Sequence, residues 1–280
     1  MNNKVALVTG ASSGIGAATA KALVKNGWIT YGTARQTNPT DPSNNEGVIL
    51  LPLDVTDEDS MVRAVRQIEG THKAVDLLVN NAGFGLPGPV EELAVADIRR
   101  QFETNVFGLV RMCQLVLPAM RHKESGRIIN VGSVGGTFTT PGSGAYHASK
   151  WAVESFTDAL RMEVAAFGVD VVLIQPPGVY TEFDKRMRQA LPDADPRSPY
   201  AAFKANHARI TEAMFTGKNT AGIIAASDVA LVITRAATVP HPHTRYKVGW
   251  SAHVYSFLRR MLSDRAWDKL MAQQFPMSAK

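Results

Sequence analysis

Six short runs of Val, Ile and Leu punctuate the first 180 residues: KVALVTG, WITYGTAR, GVILLPLDV, AVDLLVNNAG, GRIINVGS and VDVVLIQPPG. Almost no polar residue interrupts either face of these runs. A strand that is apolar on both faces must be covered on both, and a parallel sheet with helices on its two sides does this. The segments between the runs supply the helices. Helical spacing predicts them over 14–26, 57–70, 97–121 and 144–168, with another from Ser227 to Ala237, and RYKVGW reads as a late strand. The alternation defines an α/β fold built on a doubly wound parallel β-sheet flanked by helices.

The helix ends carry their own signals. In TDEDS, Thr56 is placed to cap a helix with an acidic first turn, and Ser227 has the same relation to SDVAL. Gly27 and Gly168 fall where helix C-termini favour a left-handed residue before the next strand. With 280 residues and 45% hydrophobic content the chain can bury one full core. Residues 1–280 are therefore read as a single domain. The rhythm breaks over 182–225, a polar stretch with Pro192, Pro196 and Pro199 that reads as a helical lid over a site or as a surface insertion. Over 251–280 a helical tail is expected, with Val254, Phe257, Leu258, Met261 and Leu262 on one face. Such a face suits a core or a partner subunit, with peripheral membrane contact as the alternative.

Composition narrows the partners. A net charge of +5 is mild and the Lys and Arg residues are scattered, so no nucleic-acid partner is expected. No export signal is read at the N-terminus, and no uncharged apolar stretch reaches the roughly 18 residues of a membrane span. A cytoplasmic protein follows as the expectation. Cys113, the single cysteine, lies in the apolar run VRMCQLVLPAM and reads as an inert buried thiol. The histidines, including His241 and His243, have no metal-ligand spacing with cysteines or carboxylates, so no metal is expected.

VTGASSGIG follows the first strand at once and opens a helix, setting glycines at Gly10, Gly14 and Gly16 with Ser12, Ser13 and Ile15 between them. Glycine permits positive φ and a close approach of backbone N–H groups to an anion, and the helix N-terminus adds its dipole. A Rossmann-type dinucleotide site is the reading, with the pyrophosphate on this loop. The end of the second strand then selects the cofactor. Arg35 stands there, with no carboxylate before Asp41, and a guanidinium suits the 2'-phosphate of NADP(H) better than the ribose hydroxyls of NAD(H).

Together with this loop, LDVTD, NNAG at 80–83, Asn105 in ETNVFG, Ser133 in INVGSVGG, YHASK and PPGVYT occur in one order. Over residues 3–182 the chain thus resembles the short-chain dehydrogenase/reductase family in its compact one-domain form. GTAR and the long tail are similar to the 17-beta-hydroxysteroid and retinol dehydrogenase subgroup. The resemblance implies further cofactor contacts from Asp54 and Val55, from Asn81, Ala82 and Gly83, and from Pro176, Gly178, Val179 and Thr181. The second proline, Pro177, departs from the family's single PG and stiffens that loop.

The resemblance also implies an acid/base pair in Tyr146 and Lys150, one helical turn apart. A free tyrosine is a poor base near neutrality, and a neighbouring ammonium would favour phenolate. Lys150 would also bind the nicotinamide ribose, and Ser133 would hold the substrate oxygen. Asn105 would orient a water in a relay with Lys150, or else be a helix-interior residue satisfied by backbone. His147 points away from Lys150 and is assigned a packing or surface role. The expected activity is an NADP(H)-dependent interconversion of a secondary alcohol and a ketone or aldehyde. The alternatives are a catalytically silent dinucleotide sensor or scaffold, and a sugar-nucleotide epimerase or dehydratase, for whose larger domain there is no room. Phe84, Leu86, Val134, Phe138, Thr139, Tyr180, Phe183 and Met187 are candidate walls for a hydrophobic carbonyl substrate, though several could belong to core. The helices at 97–121 and 144–168 are apolar on more than one face, and the family uses them to build a homodimer or homotetramer. The tail could instead cap such a surface and favour a monomer.

Overall fold

The computed structural model describes residues 4–35, 46–190, 195–216 and 222–276. Every expected strand forms: β1 (Val5–Val8), β2 (Ile29–Ala34), β3 (Ile49–Pro52), β4 (Leu77–Asn80), β5 (Gly126–Val131), β6 (Val169–Gln175) and the late β9 (Arg245–Lys247). They make one parallel sheet in the order β3-β2-β1-β4-β5-β6-β9. Two short strands, β7 (Val179–Tyr180) and β8 (Ile224–Ala225), pair separately beyond the edge of the sequence reading.

The double apolarity of the strands is used on both sides. Val5 and Leu7 of β1 and Val171 and Leu173 of β6 pack against α2 (Glu58–His72), α4 (Gly108–His122) and α5 (Gly144–Val164). Ala6 and Val8, with Val172 and Ile174, face α1 (Gly14–Lys25) and α8 (Ala226–Thr238) on the opposite side. Leu7, Leu78, Ile128 and Leu173 are fully buried, each contributing about 1.5–3 kcal/mol of apolar burial.

Strand order reverses between β1 and β4, so the loops after these strands diverge and leave a crevice at their carboxyl ends. In open α/β sheets ligands bind there. No helix among the described residues is long and apolar enough to cross a membrane.

Local details depart from expectation. The helix over 97–121 is α3 (Val95–Phe102) and α4 joined by a π turn over Glu103–Phe107. Asp57, not Thr56, caps α2, accepting the Ser60 N–H at 3.3 Å, because Asp54 Oδ1 already accepts both the Thr56 N–H and its hydroxyl. Ser227 does not cap α8; the cap is Ala225, whose N–H is taken by Asp228 at 3.0 Å. Gly27 and Gly168 do adopt positive φ, 81° and 68°.

The 182–225 stretch carries α6 (Glu182–Gln189) and α7 (Ala201–Thr216); Pro192 lies outside the described residues. Buried Lys204 of α7 donates to Glu92 at 2.9 Å, fastening this helix to the turn at 90–92. The tail forms α9 (Gly249–Met261) and α10 (Asp264–Gln274). Its expected single apolar face divides: Leu258 and Leu262 pack around Phe138, Trp267 and Met271, while Val254, Phe257 and Met261 remain exposed.

Candidate active site

The glycine loop is shaped by what it must avoid. Gly10 and Gly14 have φ of 66° and 56°, a conformation that favours glycine. A Cβ on Gly16 would lie 2.3 Å from the Gly10 carbonyl oxygen. The turn is then locked to the loop after β4: Asn81 Nδ2 donates to the Thr9 and Gly10 carbonyls at 3.0 and 3.1 Å. Thr9 Oγ1 accepts the N–H groups of Asn81 and Ala82 in return. Thr181 completes the enclosure, its methyl 3.1 Å from where a Gly14 Cβ would stand. Loops after β1, β4 and β6 therefore converge at the switch point.

This cradle fits a dinucleotide. No acidic residue stands in the first turn of α1, and Ser13 makes no side-chain cap there, so the first amides of the helix remain for an anion. Ser12 is exposed and Ile15 half-buried on the same turn. The Ala11 N–H donates to the Thr33 carbonyl at 2.7 Å, which brings the end of β2 against the loop. Arg35 follows, exposed and without an ion pair among the described residues; Asp41 lies outside them. Asp54 is half-buried with one carboxylate oxygen committed to Thr56. Val55 is buried, its side chain packed in the core. Gly83 passes 3.0 Å from Asn105 Oδ1, measured from the Cβ it lacks. The Pro176 carbonyl accepts from Val134, that of Gly178 accepts from Ile224, and Val179 is buried in β7.

Ser133 and Tyr146 meet because the turn between them is bare. A Cβ on Gly136 would sit 3.0 Å from the Lys150 carbonyl and one on Gly135 2.4 Å from the His147 ring, so glycines let α5 lie directly on the turn. Ser133 Oγ accepts the Gly135 N–H at 3.1 Å, and Ser133 lines the same cavity as the Tyr146 phenol. Tyr146 is half-buried, and desolvation pushes its phenol above the ordinary range. The neighbouring Ser133 hydroxyl offsets part of this rise, and the Asp184 carboxylate adds to it. Lys150 Nζ lies 5.9 Å from the Tyr146 ring centre and donates to the Val131 carbonyl at 2.9 Å. Burial draws Lys150 itself down to about 8.

Asn105 sits in the π turn, 2% exposed. Its Oδ1 accepts the Phe84 N–H at 3.0 Å, and its Nδ2 donates to the Phe84 carbonyl and to Ser149 Oγ. The side chain thus pins a loop against α5 and makes no bond to Lys150. His147 is buried, not on the surface: it stacks edge-on against Phe138, and Nδ1 accepts the Thr140 N–H at 3.3 Å. Burial draws it down to about 4, so it is neutral near pH 7.

From Ser133 and Tyr146 a cavity of about 610 Å³ opens. Val134, Phe138, Phe183 and Met187 line it as expected. Phe84, Leu86, Thr139 and Tyr180 do not: Phe84 is tied to Asn105, the Thr139 carbonyl accepts the Trp267 indole, and Tyr180 is exposed beside Phe215. Unanticipated walls come from α7 with His207 and Phe215, and from the tail with Tyr255, Met271 and Phe275. Asp184 and Arg188 of α6 also reach it. Their four-residue spacing beside Phe183 and Met187 was the available signal for one helix face.

A switch-point crevice, a glycine cradle and a Ser–Tyr–Lys group on one sheet are the marks of short-chain dehydrogenases. The chain belongs to this family, whose model, described as short chain dehydrogenase, matches residues 4–192. It is 44% identical over 184 residues to a 3-ketodihydrosphingosine reductase of Bacteroides thetaiotaomicron, a match covering 65% of this chain and 66% of that protein. It is 34% identical over 285 residues to a 3-amino-tetrahydro-pyrrolizinone reductase of Xenorhabdus hominickii, covering 100% and 99%. A short-chain dehydrogenase from Streptomyces avermitilis has the same fold, with a TM-score of 0.77, 30% identity and coverage of 97% and 95%. A serine dehydrogenase in complex with NADP+ aligns with a TM-score of 0.73 at 26% identity, covering 87% and 94%. The protein is an oxidoreductase with a nicotinamide dinucleotide cofactor.

Proposed function

We propose that the protein reduces the carbonyl of a largely hydrophobic substrate with NADPH. The observation that carries this reading is the place of Tyr146 and Ser133 together on the wall of a cavity that also holds Phe138, Phe183 and Met187. A carbonyl reduction needs an acid at the substrate oxygen, and the raised phenol is in the acid state at neutral pH. Both relatives named above are reductases. One is named for an amino-substituted pyrrolizinone.

When bound, the reduced nicotinamide supplies the hydride to the carbonyl carbon. The chain's residues handle the oxygen. Ser133 donates a hydrogen bond to it, and Tyr146 delivers the proton that completes the alcohol. The Lys150 ammonium then steadies the phenolate left behind and holds the nicotinamide ribose. Asn105 acts by fixing the Phe84 loop beside α5. Gly10, Ser12, Ser13, Gly14, Ile15 and Gly16 hold the pyrophosphate, and Arg35 takes the 2'-phosphate. Asp54, Val55, Asn81, Ala82, Gly83, Pro176, Gly178, Val179 and Thr181 complete the cofactor's contacts. Helices α6 and α7 act as the lid, and the tail walls the substrate.

Tyr146→Phe is expected to abolish NADPH oxidation with a panel of ketones while NADPH still binds in fluorescence titration. Undiminished turnover by that variant overturns the reading. Trp151, exposed on α5, with Phe107 exposed before α4, supports a homo-oligomer built on these helices. A monomer mass by light scattering overturns that part.

A further inference from the structure

We infer that Asp184 binds an ammonium group of the substrate, so that the protein acts on ketones carrying a protonated amine on a carbon adjacent or next but one to the carbonyl. The inference rests on the reductase reading above and names its substrate class. Asp184 lines the cavity that also holds Tyr146, and its neighbour Phe183 lies 5.7 Å from the Tyr146 ring, centre to centre. A group reaching Asp184 is therefore close to the reacting oxygen.

Asp184 belongs to the acidic first turn of α6, and its exchange with the N-cap Thr181 uses only part of the carboxylate. Thr181 Oγ1 accepts the Asp184 N–H at 3.4 Å and donates to Asp184 Oδ2 at 2.7 Å, which occupies one oxygen. Oδ1 makes no hydrogen bond among the described residues. The nearest cation along the helix, Arg188, favours the Asp184 carboxylate through its charge but makes no ion pair with it: its Nε lies 3.5 Å from Glu212, its guanidinium stacks 4.5 Å over Phe215, and its buried Nη1 has no hydrogen-bond partner among the described residues. Asp184 thus has no salt bridge among the described residues and stands between the apolar side chains of Phe183 and Met187. A carboxylate in such surroundings is poorly compensated, and a substrate cation restores what it lacks.

The arrangement also couples recognition to chemistry. Burial holds the Tyr146 phenol up and the Asp184 charge adds to this; an ammonium beside Asp184 cancels the added part, so the phenol becomes a stronger acid when the right substrate is in place. An ammonium near the carbonyl also withdraws electrons from it and eases hydride addition.

The test uses the full chain with NADPH and a matched pair: a 1-amino-2-alkanone and the 2-alkanone of equal length. Wild type is expected to favour the amino ketone by about ten- to a hundredfold in kcat/KM. Asp184→Asn keeps the shape and the Thr181 contact, and the preference should collapse toward unity. Asp184→Glu, which restores the charge, should recover part of it, and thermal melts check that both variants fold. Binding of the amino ketone and the alkanone to the NADPH complex is measured beside turnover by calorimetry. Equal turnover of both ketones by wild type overturns the Asp184 assignment and leaves the reductase reading standing, as does a preference that survives Asp184→Asn. Amine-dependent binding that Asp184→Asn abolishes, without turnover of either ketone, supports the assignment and overturns the reductase reading. Neither binding nor turnover overturns both.

Discussion

Replacing Gly16 by alanine tests the glycine loop at its tightest point. The added methyl would lie 2.3 Å from the Gly10 carbonyl oxygen and 2.5 Å from Asn81 Nδ2, both fixed parts of the turn. Relief requires α1 and the loop to separate by about an ångström, and overpacking of this kind costs about 1–3 kcal/mol. Helix propensity returns up to about 1 kcal/mol, because alanine is the better helix former. Gly70→Ala is the matched control. It makes the same change inside α2 with nothing within 4 Å of the new Cβ, so only the propensity gain operates. Thermal melting of the two variants should therefore diverge, Gly70→Ala moving up and Gly16→Ala down, at about 2–4 °C per kcal/mol. Because the displaced carbonyl belongs to the cofactor cradle, NADPH affinity of Gly16→Ala in fluorescence titration should fall by about tenfold, equivalent to about 1.4 kcal/mol. If Gly16→Ala melts with Gly70→Ala and binds NADPH as wild type does, the loop is not the close-packed cradle described.

Three further perturbations probe other parts of the molecule. Arg35→Ala should weaken NADPH by about tenfold and leave NADH unchanged, since only the 2'-phosphate contact is lost; equal effects on both cofactors would contradict this in steady-state kinetics. Burial draws Lys150 to about 8 from an ordinary 10.5, so between these values the unfolded chain retains a proton that the folded chain has released. Stability from this group therefore rises with pH across that window, and wild-type Tm minus Lys150→Met Tm should grow from pH 8 to 10, whereas a flat difference refutes it. Trp267 is 5% exposed, packs 5.3 Å from the Phe138 ring and donates its indole N–H to Thr139. Its replacement by alanine should cost about 3–5 kcal/mol and expose the tail to trypsin, and unchanged cleavage at Arg259 and Arg265 would show that the tail is not docked there.

The sheet was legible because its signal is local. A strand covered on both faces has no room for polar residues, and each run from KVALVTG to VDVVLIQPPG records this in consecutive positions. The glycine loop was legible for a similar reason, since three glycines between a strand and a helix have few uses. The π turn was not, because ETNVF keeps ordinary helical spacing and the distortion accompanies bonds from Asn105 to Phe84, a partner 21 residues away. The desolvation of the Tyr146 phenol was not legible either, because spacing reveals Lys150 but not what packs around the ring. Likewise, Tyr255 and Phe275 become cavity walls only through the docking of Trp267 on Phe138, and no short stretch of sequence encodes that contact.

The family match ends at residue 192, and His207, Phe215, Tyr255, Met271 and Phe275 all lie beyond it. Ser133, Tyr146, Lys150 and the glycine loop all lie before it. In the proposed reading, the groups that serve hydride and proton transfer and most of the far wall of the cavity thus lie on successive stretches of one chain. Exchange of the last ninety or so residues between relatives would alter what is turned over while leaving how it is turned over intact. By the same logic, a homologue alike only across the first two thirds is a guide to the reaction, and one alike to the end is a guide to the molecule that undergoes it.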